Sequence, residues 1–308
     1  MVIGGGTQTQ RQFESIWPER HLEPESDYAY CRRVMVEASK NYSFAGQFLP
    51  ADKRPHVEAL YALLRVGDDL VDVSHEGFDS AEAAIDHWQR TYQRAFKHGT
   101  SPDPVMRAYL DTAQKFEIPQ DLMTPYFKAM RQDLSINRYQ TFDDLLDYMD
   151  GSALPVGRGM TYILGVRSPY HFQQALPGAD ALSIAMQLSN FWRDVGEDWR
   201  RGRVYLPLED MARFGVSESQ LAGPEVSPEL RRLIKFQIER TNAYYRKAAK
   251  AVPMLAGGRW AVQSGLLIYK AITDSLEQNN YDPFSRRARA NTAGKLMLVV
   301  KAGLQVAR

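Results

Sequence analysis

Ile184-Ala-Met-Gln187-Leu-Ser-Asn190-Phe-Trp-Arg193-Asp194-Val-Gly-Glu-Asp198 carries two helical stripes at once. Ile184, Leu188, Phe191 and Val195 recur at the spacing of an amphipathic helix. Asn190, Asp194 and Asp198 recur every fourth residue and project together on a different stripe. The stretch therefore reads as a helix with an acidic edge beside its buried side.

A second stretch repeats the device. In Tyr61-Ala-Leu-Leu-Arg65-Val-Gly-Asp68-Asp69-Leu-Val-Asp72, positions 61, 65, 68 and 72 share one helical face. The apolar stripe Val57, Leu60, Leu64 and Val71 lies beside it. Tyr126, Met130 and Leu134 form a shorter stripe. No run of alternating β-branched residues is long enough to nucleate a sheet, so the pattern is helical almost throughout.

Breakers punctuate the helices. Pro50 and Pro55 bracket one helix entry, and Ser101-Pro-Asp-Pro104, Ile118-Pro119, Ser168-Pro169, Pro177-Gly178 and Gly223-Pro224 mark turns. The longest soft region, 204–228, has no Ser/Gly or charge run and does not read as a linker. No repeat appears. The sequence predicts residues 1–25 as a flexible N-terminal tail and 26–308 as one all-α domain.

Composition narrows the function. The 308 residues carry 38 Lys+Arg against 37 Asp+Glu, a net charge of +1, which argues against bulk electrostatic binding of nucleic acid. One cysteine excludes an internal disulfide framework and a cysteine-based metal centre. With 44% hydrophobic residues the chain can bury a large core. No apolar run approaches the length of a membrane span, and the first residues lack the apolar segment of a secretion signal. The expected compartment is the cytoplasm, with peripheral membrane contact for release of a greasy product as a further expectation.

Several carboxylates near a buried face are costly unless a cation compensates them. Carboxylate and amide oxygens are hard ligands suited to Mg²⁺, which shares its shell with water and phosphate oxygens. Arg193, Arg200, Arg201 and Arg203 cluster near the second acidic edge. They suit phosphate through charge-assisted forks. Two acidic helices facing each other would clamp two or three Mg²⁺ ions (Mn²⁺ as an alternative) around a diphosphate and assist its departure. A single Asp-x-x-x-Asp is more often a solvated helix face. Two such edges, each flush with an apolar stripe and each carrying an arginine, favour the metal–diphosphate reading. A dry, aromatic-lined hollow behind them would hold an isoprenoid tail and protect a carbocation.

These residues resemble the squalene/phytoene synthase family. Gln187–Pro207, QLSNFWRDVGEDWRRGRVYLP, is similar to its second signature, and Tyr61–Asp72, YALLRVGDDLVD, to its first. Ser39-Lys40 with Tyr42, Leu49-Pro50, and Tyr281–Arg287 resemble further family segments. The likeness spans about Tyr28 to Leu298. It implies a single-domain isoprenoid-synthase helical bundle around a central cavity. It also implies head-to-head condensation of two prenyl diphosphates through a cyclopropyl diphosphate. By the same resemblance Mg²⁺ ligands fall on Asp68, Asp72, Asn190, Asp194 and Asp198. Diphosphate contacts fall on Ser39, Lys40, Tyr61, Arg65, Gln187, Arg193, Tyr269 and Arg286, with Arg65, Arg193 and Tyr148 as the catalytic set. Tyr42 and Gly46 border the substrate tail.

Members differ in product. No nicotinamide motif or C-terminal anchor is read, which disfavours the reductive squalene synthases. Gly46, one turn after Tyr42, leaves room for a C20 chain. Val195-Gly-Glu-Asp198 and Tyr269 resemble phytoene synthase, whereas Ser152-Ala-Leu-Pro155-Val-Gly157-Arg158 and Asn190-Phe-Trp resemble the hydroxysqualene branch. The expected reaction is formation of 15-cis-phytoene from two geranylgeranyl diphosphates. The alternatives are squalene, hydroxysqualene or dehydrosqualene synthesis from two farnesyl diphosphates, and a non-catalytic assembly partner of the same fold. Head-to-tail elongation and terpene cyclisation are weaker, since Arg201–Pro207 does not fit them. The six histidines lack ligand spacing, Trp192 reads as packing, and Cys31 as buried.

Overall fold

The long apolar stripes dictate helices that must bury one face each, and the structure, a computed structural model, stacks them around a hollow. It describes residues 26–223, 225–285 and 292–307. The expectations for the tail, Met1–Glu25, and for Arg286 lie outside these residues. Among the described residues there are thirteen α-helices, three short 3₁₀ turns and no strand beyond two isolated bridges.

In chain order the helices are α1 (Asp27–Ala38), α2 (Lys40–Gly46), α3 (Arg54–Asp72), α4 (Ala81–His98), α5 (Pro104–Lys115), α6 (Thr124–Gln132) and α7 (Phe142–Ser152). They continue with α8 (Leu154–Leu164), α9 (Phe172–Arg200), α10 (Leu208–Phe214), α11 (Pro228–Ala249), α12 (Arg259–Gln278) and α13 (Thr292–Val306). Local chemistry sets many boundaries. Ser26, Ser39, Ser80, Asp103 and Ser227 each accept a hydrogen bond from a first-turn backbone N–H, and Thr141 with Asp144 forms a capping box. Pro55, Pro104 and Pro228 occupy first-turn positions, where a missing N–H costs nothing. Gly99 ends α4 in the left-handed conformation.

Helix α9 is the spine, packing against α8, α11 and α12, while α3 packs against α1, α5 and α8. Two side chains brace α3 from outside. Trp88 Nε1 donates to the Leu63 carbonyl at 3.1 Å, and Tyr126 Oη donates to the Leu64 carbonyl at 2.6 Å. Gly67 makes this possible: a Cβ there would lie 2.0 Å from Tyr126 Oη. The brace fixes the turn that carries Arg65 and Asp68.

Two local expectations are corrected. Pro177-Gly178 is not a turn but lies inside α9. Pro177 is the sixth helical residue and forfeits only one intrahelical bond. Gly178 touches Ala251, where an added Cβ would sit 2.0 Å from the Ala251 Cβ, so close packing overrides the breaker signal. Leu134 lies past the end of α6 and is exposed, so that stripe ends at Met130. Arg201 is exposed and pairs with Glu197 at 3.0 Å, one residue from Asp198, on which its charge also acts. Trp192 is fully buried and donates to Thr241 Oγ1 at 2.9 Å, consistent with packing, and Cys31 is buried.

Candidate active site

Both acidic edges lie at helix C-terminal ends. Asp68 and Asp72 occupy the last turns of α3, and Asp194 and Asp198 those of α9. The helix dipoles place negative potential at these ends, so the carboxylates make each end strongly cation-seeking. Arg203 joins the two ends. Its backbone N–H donates to the Asp198 carbonyl at 2.9 Å, while its guanidinium forks onto Asp72 at 2.7 and 3.2 Å. The edges therefore meet rather than pointing to opposite sides of the molecule.

A further carboxylate lies beside the α3 edge. Asp133, in the turn after α6, accepts a hydrogen bond from Tyr148 Oη at 3.0 Å. Its second oxygen, Oδ1, is buried with no hydrogen-bond partner. Burial pushes its carboxyl up to about 7, with Asp72 adding repulsion against the pull of Arg203 and Tyr148. Burial and the neighbouring Asp194 and Glu197 likewise push Asp198 up to about 7. Asp68 is held well above the carboxylate range by burial, with Arg65 opposing and Asp72 and Asp133 reinforcing. Negative charge is thus under-compensated by the protein alone. The all-oxygen donor set, the two negative helix ends and the orphaned Asp133 oxygen fit a hard divalent cation. Among the described residues no three Asp, Glu, His or Cys side chains converge as a finished metal cage.

The arginines are engaged locally. Arg65 pairs with Asp69 at 2.5 Å, one turn along α3, and its Nε is buried without a partner. Arg193 forks onto Asp194, its Nε at 2.8 Å. Beside them Tyr61 and Tyr269 both lie near Ser39, and Tyr42 lies between, its ring 5.2 Å from Tyr61 and 5.9 Å from Tyr269. Burial raises all three phenols, Tyr61 to about 12, so they remain neutral donors. Tyr205 stacks on Phe191 at 3.9 Å and 9°, and faces Tyr139 and Tyr148 at 5.8 and 6.1 Å, giving an aromatic wall beside the acids.

Behind this polar mouth runs a cavity of about 160 Å³. Along α9 it follows Asn190, Gln187, Met186, Leu182, Ala179 and Ala175, which at 1.5 Å per residue is a path of about 22 Å. Leu60, Val156, Met160 and Leu164 form apolar walls. Of the expected site residues, Tyr42, Gly46, Tyr61, Gln187, Asn190 and Tyr269 line it. Arg65, Asp68, Asp72, Arg193, Asp194 and Asp198 continue the same two helices beyond it. Tyr148 is buried beside Asp133. Ser39 caps α2 and accepts from the Tyr42 N–H at 3.2 Å. Lys40, the first residue of α2, is exposed.

Sequence reasoning missed Asp133, Tyr139 and Tyr205 and did not assign a partner to Arg203. Asp133 stands alone in sequence without a helical partner. Val204 N–H donates to the Asn137 carbonyl and Leu208 N–H to the Tyr139 carbonyl, each at 2.9 Å, and this pairing brings Tyr139 beside Tyr205.

Residues 35–293 match the family described as Squalene/phytoene synthase. The chain belongs to the squalene/phytoene synthase family. It is accordingly an enzyme of the prenyltransferase type. Family members use a divalent metal, consistent with the donor set above. The chain is similar to the phytoene synthase of Arthrospira platensis, 35% identical over 90% of this chain and 93% of the relative. It is also 35% identical to the 15-cis-phytoene synthase of Synechocystis sp., over 91% of this chain and 86% of that one. Among solved structures, a dehydrosqualene synthase in complex with ligand superposes with a TM-score of 0.84 at 27% identity, covering 91% of this chain and 96% of that one. The squalene synthase HpnC from Alicyclobacillus acidocaldarius gives 0.75 at 28% identity, covering 84% and 95%. These family structures share the all-α isoprenoid-synthase fold. No helix among the described residues is long and apolar enough to cross a membrane.

Proposed function

We propose that this enzyme condenses two prenyl diphosphates head to head, and that both are geranylgeranyl diphosphate, giving 15-cis-phytoene. The observation that carries the reaction class is the meeting of two carboxylate-bearing helix ends at the polar mouth of a long apolar cavity. The C20 assignment is supported by the phytoene synthases among its relatives and by Gly46, which adds no side chain to the cavity wall.

Asp68 and Asp72 on one edge, and Asn190, Asp194 and Asp198 on the other, would hold Mg²⁺. When bound it supplies Lewis-acid stabilisation of a departing diphosphate. Arg65 and Arg193 offer guanidinium donors to diphosphate oxygens, with Gln187 and the neutral phenols of Tyr61 and Tyr269 beside them. Ser39 lies beside the two phenols. Arg286 and Lys40 are assigned to the same diphosphate set. Tyr42 and Gly46 border the tail.

In this reading the first diphosphate leaves with its bonding electron pair. The double bond of the second substrate attacks the allylic cation, and proton loss closes a cyclopropane. Loss of the second diphosphate, rearrangement and a final proton loss complete the product. The apolar walls exclude water from these cations. Tyr148, held by Asp133, keeps its ring toward Tyr205 and Tyr139, an arrangement that stabilises positive charge.

A C15 reading, with two farnesyl diphosphates giving a squalene-type product, is favoured by the superposition on the dehydrosqualene synthase. Offering purified enzyme C15 and C20 diphosphates, with and without NADPH, and identifying the extracted lipid separates the two. Phytoene from the C20 substrate is expected. Preference for C15 overturns the chain-length assignment, and stoichiometric diphosphate binding without turnover of either overturns the activity.

A further inference from the structure

Helix α13 carries an apolar face that no described element covers. Leu296, Met297, Val300 and Leu304 are 57%, 70%, 56% and 65% exposed, and at these positions they form one stripe. The opposite side, Val299 and Ala302, is buried where α13 packs on α12. Trp260 fixes the helix by donating from Nε1 to the Val299 carbonyl at 2.8 Å, yet its ring is 42% exposed.

This face is continuous with the cavity. Trp260 packs on Phe48 at 4.8 Å, and the next residues, Ala261 and Leu49, line the cavity itself. Apolar surface therefore runs from the cavity wall through two aromatic rings to the α13 stripe. The charged side chains on α13 itself are lysines, Lys295 and Lys301. Lys301 sits at its edge, α13 holds no carboxylate, and from Ser285 onward the sequence contains no Asp or Glu. At 15 residues the helix is about 22 Å long, too short to span a bilayer core of about 30 Å. Its geometry is that of a helix lying in the plane of an interface, with an apolar face inward, a lysine reaching outward and a tryptophan at the boundary.

We infer that α13 with Trp260 and Phe48 is the surface by which the enzyme docks on an anionic lipid bilayer, so that product passes from cavity to membrane along apolar surface. This rests on the proposed function for the nature of the product, but docking is testable without substrate.

The full chain is sedimented with sucrose-loaded vesicles of phosphatidylcholine alone and of phosphatidylcholine with phosphatidylglycerol. Binding to the anionic vesicles is expected, weaker to the neutral ones and weaker in high salt. The double variant Met297→Glu/Leu304→Glu is expected to bind about tenfold more weakly, with unchanged turnover in detergent and an unchanged melting temperature. A milder pair, Leu296→Gln/Val300→Gln, should show the same loss should the acidic pair fail to fold. Wild-type protein that stays in the supernatant with both vesicles overturns the proposal, as do variants that sediment like wild type. A wild-type dimer that the variants convert to monomer, with no vesicle binding by either, assigns the face to a second copy and also overturns it. Turnover in detergent is read separately, so failure of docking and failure of the proposed reaction are distinguishable.

Discussion

Arg203 and Asp72 form a bidentate fork, 2.7 and 3.2 Å, between the segment after α9 and the end of α3. Because the same arginine's N–H holds the Asp198 carbonyl, one residue sets the spacing of the two acidic edges. Both partners are partly exposed, so the pair adds little to global stability, under about 1 kcal/mol. Its effect should appear in activity. Arg203→Lys, which keeps charge but not the fork, is expected to lower kcat/KM about tenfold with an unchanged melting temperature. A steady-state assay beside a thermal melt checks this, and a large loss of melting temperature at full activity would contradict it.

Removing one carboxylate from either edge should separate chemistry from folding. Asp68→Asn and Asp194→Asn are expected to lose about two to three orders of magnitude in turnover. The Asp68→Asn melting temperature should hold or rise, because its carboxyl is already disfavoured by burial, whereas Asp194→Asn weakens the fork with Arg193 and should melt a few degrees lower. Chelation with EDTA should stop the wild-type reaction and added Mg²⁺ restore it. Wild-type rates in either variant would refute the assignment.

The raised carboxyls make stability depend on pH in a definite direction. Asp133 and Asp198 titrate near 7 when folded, far above their unfolded value, so the folded protein binds more protons between these limits. Their contribution is fully present below about pH 4 and is lost as pH rises through about 7. Without metal, the melting temperature is therefore expected to fall between pH 5.5 and 7.5. Asp133→Asn should flatten that fall, and Mg²⁺ should raise the melting temperature more at pH 7.5 than at pH 5.5. Thermal melts across this window with and without the ion provide the measurement.

Much of the architecture was legible because α3 and α9 carry apolar and acidic stripes at helical spacing, and local periodicity needs no tertiary knowledge. The Arg65–Asp69 pair was equally available from its four-residue spacing, although the shared face of positions 61, 65, 68 and 72 pointed to Asp68 and Asp72 instead. Asp133 was not legible. It joins the site only because the turn after α6 abuts the end of α3, a relation no local pattern encodes. Pro177 misled for the same reason: the Gly178–Ala251 contact that keeps the helix whole is made with a residue far along the chain.

Gly46 offers a test of chain length. It is buried in the cavity lining, and a Cβ there would lie 3.3 Å from Met35 Cε, a flexible group able to yield. Gly46→Phe projects a ring into the tail space and is expected to shift preference from C20 to C15 diphosphate by about tenfold or more. Competition between the two substrates, read as product ratio, decides it. An unchanged ratio would remove Gly46 from the specificity account.

The brace on α3 predicts a stability defect. Gly67→Ala forces Tyr126 Oη from its bond to the Leu64 carbonyl and should cost about 2 kcal/mol. Denaturant unfolding measures this. Double substitution with Tyr126→Phe should recover part of the loss, since the clashing oxygen is then absent.

The inner end of the hollow is built from Ala175, Gly178, Ala179, Ala248 and Ala251, among the smallest residues available. Those five leave almost nothing to trim, and Gly178 already brings main chain against its neighbour. Deepening the hollow between them means pushing helices apart, so room for a longer chain would have to come from Val252 and Leu255, which also line it. Shortening needs only a single larger side chain.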